Sequence, residues 1–303
     1  MIAKAHCFTK NVKIDKLPIS FKFGDVAVLI HESTNKKEEG GLILEISQKV
    51  DPATLLVKPE EQDPQGKFIE KRLKPYKIKL NEVASLLEGL LSIFYLGTPP
   101  SFDTHKVMVN IEPESPEEEK MIQEERVSRG FGDVLHQEQY PLYTWSEQIL
   151  PNIEVGKKHI PALSFLAQAI RSQARKDEEV AFFLYFRVIE GYLGDGSERL
   201  QDALLYRANE LKKYLSDSTS LKDAFKTILV NGLSLSSHSH ENYDGMIKDL
   251  VLIRHKLIHF NEEYSDRHYN PNLKFELAPI NFYLRKACVL ILRDKIGVDK
   301  EDT

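Results

Sequence analysis

Apolar residues in the early part of the chain come in short runs that break off at Gly, Pro or charge. Asp25–His31, Leu42–Ile46 and Thr54–Val57 are runs of this kind, and β-branched and apolar stretches so bounded predict strands. Tyr76–Leu80 and His105–Ile111 alternate apolar and polar positions with period two, the pattern of a half-buried strand. Between them the spacing switches. Val83, Leu86, Leu87, Leu90, Leu91 and Phe94 recur at steps of three and four, which predicts a helix capped by Asn81, running through Tyr95 and followed by Gly97. Such a helix would cover one face of a small sheet.

An acidic, proline-bearing stretch, Glu112–Glu119, interrupts the pattern. It reads as a surface excursion leading into a charged helix, because charge runs are usually solvated. From Ile160 onward every long segment has helical character, with polar loops such as Ser234–Asn242 between. Pro161 suits a first-turn position, and Leu163, Leu166, Ala167 and Ile170 follow at helical spacing. Val180–Leu193 is apolar almost all round, which places it at the centre of a bundle, and Gly194-Asp195-Gly196 ends it. Glu198–Leu215, Leu221–Val230, Tyr243–Phe260 and Pro279–Ile296 complete the helical set. The predicted fold class is therefore α+β: a mixed α/β domain over residues 1–150, then an all-α bundle over 151–303.

Charge and cysteine content narrow the function classes. The formal net charge is −5, unlike that of a general nucleic-acid coat, whose affinity comes mainly from Lys and Arg. The imbalance falls in the first half; residues 151–303 hold equal numbers of acidic and basic side chains, which leaves room for a local basic site. Cys7 and Cys288 lie at opposite ends, so no zinc spacing or disulfide framework can be read and no metal or other cofactor is expected. With no stretch approaching ~20 apolar residues and no apolar signal core in Met1–Lys16, a soluble cytoplasmic protein without a membrane partner is expected.

The most informative stretch is Arg254-His255-Lys256-Leu257-Ile258-His259. Ile247, Leu250, Val251 and Ile258 form an apolar stripe, and Arg254 falls on it where an apolar residue would be expected. Guanidinium is a planar fork that grips phosphate, and imidazole exchanges protons near neutrality. That combination suggests phosphodiester chemistry. His259 lies five residues on, about 140° round the axis at ~100° per residue, so one helix aims the two side chains poorly at each other. Two copies related by a twofold axis would bring two Arg and two His into one cleft.

An Arg followed after four residues by His, near the end of a late helix in an all-α domain, resembles the HEPN superfamily (higher eukaryotes and prokaryotes nucleotide-binding). Arg254 and His259 fill the motif's two fixed positions, and His255 its polar position. The aromatic helix ending in Arg187–Leu193 is similar to an early helix of larger HEPN domains. The likeness covers roughly residues 155–300 and not the first half. It implies a homodimeric, metal-independent endoribonuclease, often of toxin or antiviral systems, that leaves a cyclic phosphate and a 5′-hydroxyl. Some small HEPN toxins have Tyr two residues after the motif His, the acceptor of added nucleotides; here Asn261 stands there, and that form of inactivation is not expected.

Around this centre, His255 and Glu190 are supporting candidates, and Lys256, Arg267, His268 and Tyr269 offer cationic and stacking groups to single-stranded RNA. Glu190, a carboxylate in an apolar helix, needs a partner: Arg187 one turn back, or Arg254. Three alternatives stay open. Arg254 and His259 could be structural, the Arg paired to Glu190 and the His at a helix end; the bundle could be a non-catalytic module that dimerises or binds a regulatory protein or RNA; or His238 and His240, with a distant carboxylate, could hold a metal.

Overall fold

The computed structural model describes residues 1–9, 13–33, 41–51, 67–94, 99–103, 107–123, 142–143, 148–193 and 273–298, with Tyr214, Gly245, Asp249–Val251, Ile253, Arg254 and Leu257. The chain divides into two compact units, Met1–Glu88 with Pro100–Glu154, and Gly89–Pro99 with Val155–Thr303. An antiparallel sheet near the N-terminus and helices later make the chain mixed α and β.

The first unit is built on strands β1 (Ile2–Thr9), β3 (Ile19–Phe23), β4 (Val26–Glu32), β5 (Leu42–Lys49) and β6 (Met108–Glu112), in the order β3-β4-β5-β1-β6. A separate short pair joins β2 (Lys13–Ile14) to β7 (Leu142–Tyr143). The expected strands at Asp25–His31, Leu42–Ile46 and the end of His105–Ile111 appear as β4, β5 and β6; Thr54–Val57 lies outside the described residues. Strand β1, paired on both sides by β5 and β6, was not expected. Its buried positions are Ala3, Ala5, Cys7 and Thr9, so alternation exists but is carried by small residues. In register, Ala5 faces Ile46 and Cys7 faces Leu44, and the larger residues of the neighbouring strand fill the core there. The β3–β4 hairpin turns through Gly24 at φ 62° and Asp25; positive φ at the first central residue alone is the II′ pattern, which glycine meets without strain.

Helix α1 spans Lys67–Phe94, so the expected helix starts well before Asn81, and Tyr76–Leu80 is helical rather than a strand. The apparent alternation arose because Ile78 is an apolar residue left 47% exposed, while Tyr76 and Leu80, one turn apart, are buried and lead into Val83, Ala84 and Leu87. The helical period wins because it extends further along the chain. Lys79 ties the helix to the sheet by reaching Asp25 and Gln48, and the Glu88 carboxylate accepts the Phe102 amide at 2.7 Å.

The acidic excursion does lead into a helix, Pro116–Gln123. Ser115 caps it, its hydroxyl accepting the Glu118 amide at 3.2 Å, while the Glu118 carboxylate turns back to the Glu114 amide at 2.7 Å. This reciprocal arrangement, with Pro at the first position and three Glu in the first turn, suits the positive end of a helix.

The second unit contains α2 (Ile160–Ala174), α3 (Glu178–Leu193) and α4 (Leu273–Ile296). Helices α2 and α3 agree with the sequence pattern. Helix α4 starts earlier than Pro279, which lies inside it. The remaining expected helices fall largely outside the described residues, although Tyr214, Gly245, Asp249–Val251, Ile253, Arg254 and Leu257 are helical. Phe182 and Phe186 stack at 5.9 Å, the Tyr185 hydroxyl donates to Gln173 at 2.8 Å, and the Cys288 thiol donates to the Tyr185 carbonyl at 3.3 Å. Both cysteines are free and buried, and burial pushes both thiols up. Thiols held neutral in this way are poor nucleophiles.

Arg293 is buried on α4, donates from Nε to the Ile93 carbonyl at 2.7 Å and lies over the Phe94 ring at 5.9 Å. It caps the last turn of α1, whose final carbonyls have no intrahelical donor. Arg293→Met keeps the stem but removes the cap and the ring contact. The expected loss is about 2–3 kcal/mol, measured as a shift in urea midpoint without change of slope.

Candidate functional site

The site is organised by a carboxylate that an apolar helix would not ordinarily carry. Glu190 lies in the last turn of α3 with its side chain 12% exposed, and two arginines divide its oxygens. From one turn back on the same helix, Arg187 Nη1 donates to Oε2 at 3.2 Å. Arg254 Nη2 stands 3.2 Å from Oε1. The expected choice of partner is thus resolved as both.

The two contacts are unequal. Arg187 is 60% exposed, and an exposed pair is screened by water and worth a few tenths of a kcal/mol. Arg254 is 27% exposed and reaches Glu190 from a different helix, so its pair braces tertiary structure. Its approach is not an aligned hydrogen bond: Oε1 is buried, and among the described residues no donor is oriented onto it. Arg254 is held close to its counter-ion and stays partly exposed. A guanidinium has five N–H donors in a fixed fork, enough to hold Glu190 and still offer N–H groups outward.

His255, Lys256 and His259 lie outside the described residues, as do Arg267, His268, Tyr269, His238, His240 and Asn261. The structure therefore joins Arg254 to Glu190, which Arg187 also reaches. Among the described residues, no three His, Cys, Asp or Glu side chains are grouped as metal ligands, and no helix is long and apolar enough to cross a membrane.

Known proteins offer no guide to this arrangement. No family model, no curated protein and no solved structure matches the chain.

A second polar cluster in the same unit escaped the sequence reading. The Tyr192 hydroxyl and His159 Nδ1 are 2.7 Å apart, with ring centroids at 5.7 Å. His159 also bonds to the Lys295 backbone. Burial pushes the Tyr192 hydroxyl up to about 12. Burial is also the main cause holding His159 below its ordinary value, with Lys158 and Lys295 adding to it. These residues are far apart in sequence and match no motif, so only tertiary structure reveals them.

The Arg254–Glu190 brace has a measurable consequence. In double-mutant cycles with Glu190→Gln, the coupling to Arg254→Met is expected to be about 1–2 kcal/mol and that to Arg187→Met below about 0.5 kcal/mol. Equal couplings would mean that Arg254 is as loosely held as an ordinary surface arginine.

Proposed function

We propose that this protein is a metal-independent endoribonuclease of HEPN type, acting as a homodimer in a toxin or antiviral defence role, with Arg254 and His259 as its catalytic pair. The observation that carries the reading is Arg254 itself: a guanidinium in a helical segment, braced by Glu190 yet partly accessible. In this reaction His259 takes the proton from a ribose 2′-hydroxyl, whose oxygen attacks phosphorus. Arg254 holds the charge that develops on the phosphoryl oxygens, and His259 of the second copy protonates the departing 5′-oxygen. The products are a 2′,3′-cyclic phosphate and a 5′-hydroxyl end. Glu190 fixes the guanidinium, His255 supports the motif, and Lys256, Arg267, His268 and Tyr269 contact the RNA strand. The N-terminal unit senses a trigger or selects the RNA.

The test is incubation of the purified protein with transfer RNA and total RNA in chelator. New 5′ ends should accept phosphate from a polynucleotide kinase without prior dephosphorylation. Ends that require a phosphatase first would exclude this chemistry.

A second reading has its own supporting observation, since Arg254 is already paired with a carboxylate of its own chain, Glu190. In that reading the helical unit is a non-catalytic dimerisation, protein-binding or RNA-binding module. Variants of Arg254 would then change assembly or melting temperature with no RNA cleavage to lose.

A further inference from the structure

We propose that the His159–Tyr192 pair is a pH-sensitive latch, in which a neutral imidazole ties the entry of α2 to the ends of α3 and α4 and protonation loosens that junction. The geometry sets out the parts. His159 is the residue immediately before α2, Tyr192 the penultimate residue of α3, and Lys295 the penultimate residue of α4. A single ring reaches all three: Tyr192 through Nδ1 at 2.7 Å, and the Lys295 backbone through a second hydrogen bond.

The neutral tautomer is well suited to this place. With Nε2 carrying the proton toward the Lys295 carbonyl, Nδ1 presents a lone pair to the Tyr192 hydroxyl, and both ring nitrogens are used. A proton on Nδ1 changes the junction twice. The tyrosine must turn its own hydrogen away, and a cation must stand in a half-buried position near two ammonium groups. The charged and titratable groups facing the ring are Lys158 from the turn before α2, Tyr192 from α3 and Lys295 from α4; no carboxylate among the described residues acts on it. The hydrogen bond to the Lys295 backbone favours the cation, but burial and the two lysines outweigh it.

The sign follows directly. A histidine held below its ordinary value in the folded chain contributes stability that is complete in the neutral range. That contribution is lost as pH falls from the ordinary imidazole value through the folded one. The latch is therefore closed at neutral pH and weakens on mild acidification. Its location gives it a route to the other cluster, since Glu190 lies two residues before Tyr192 in the last turn of α3. Fraying of that turn would move the carboxylate that braces Arg254. The latch itself stands apart from the ribonuclease reading and depends only on the junction.

Proton NMR of the intact chain tests it, with the His159 ring signal assigned by its absence in His159→Gln. The expected result is a titration midpoint lower in the folded chain than in urea, and higher in a Lys158→Met/Lys295→Met variant than in the wild type. Melting temperature between pH 8 and pH 5 should fall less steeply in Tyr192→Phe than in the wild type. A midpoint at or above that of the unfolded chain overturns the proposal, as does a midpoint indifferent to both lysines. The wild-type titration decides the matter even if a variant fails to fold.

Discussion

Arg254→Ala is expected to lower RNA cleavage by about 10²–10³-fold, and His259→Ala by about 10²–10⁴-fold, with each variant remaining folded. The magnitudes follow from separate roles. Removing a group that stabilises charge only in the transition state lowers turnover, while removing a proton carrier forces water to do the same work. Arg254→Lys sharpens the test, because a point charge cannot reproduce a fork that holds Glu190 and a phosphoryl oxygen together. It should recover the stability lost in Arg254→Ala, in part, without recovering cleavage. End-labelled RNA in chelator measures turnover, and thermal unfolding of the same samples separates chemistry from folding. Because the proposed site is shared, mixing the two single variants should restore some activity if each copy supplies what the other lacks. Cleavage that survives both substitutions would remove these residues from the mechanism, and loss of stability without any cleavage to lose would favour the interaction module.

A large stability effect is expected at Gly89. In an exposed helix, replacing Gly with Ala stabilises by up to about 1 kcal/mol, because glycine gives up more backbone freedom on folding. At Gly89 the opposite should hold. An added Cβ would lie 2.2 Å from the Leu163 Cβ and 2.8 Å from its backbone atoms, so α1 and α2 touch there through main chain as well as side chain. Backbone on the receiving side cannot swing away as a flexible side chain does. Gly89→Ala should therefore cost about 2–3 kcal/mol, and Gly89→Val more. Gly191 is the internal control: it is exposed near the end of α3, and an added Cβ meets nothing within 4 Å. Gly191→Ala should stabilise by about 0.5–1 kcal/mol. Urea unfolding of the two variants beside the wild type gives both signs at once, and a stabilised Gly89→Ala would mean that the two helices do not approach so closely.

Glycine spacing gave no hint of this contact. Gly89 sits among Leu86, Leu87, Leu90 and Leu91, where it reads as a mild helix weakener. Its meaning comes from Leu163, more than seventy residues away.

The same division runs through the fold. Strands β4 and β5 were legible because Val, Ile and Leu recur between turn residues, and the core of α1 because leucines hold a helical period over several turns. Strand β1 was not, since a buried face made of Ala3, Ala5, Cys7 and Thr9 has little hydrophobic contrast with Ile2, Lys4, His6 and Phe8 opposite. Tyr76–Leu80 failed for the reverse reason. A five-residue window holds too little information to separate period two from one turn of helix when an exposed isoleucine happens to fall between.

At the candidate site, Arg254 and Glu190 could each be singled out alone, because a charge on an apolar stripe is costly unless it is paired. That pairing requirement, the helical character of the second half and the mixed character of the first are properties of residue order. Whether Glu190 would take Arg187, Arg254 or both depended on which helices stand side by side, as did the meeting of His159 with Tyr192 and of Gly89 with Leu163. Periodicity reports which face of an element avoids water, through interactions a few residues apart. The identity of the neighbour that covers that face is set by packing between distant segments, and no local pattern encodes it.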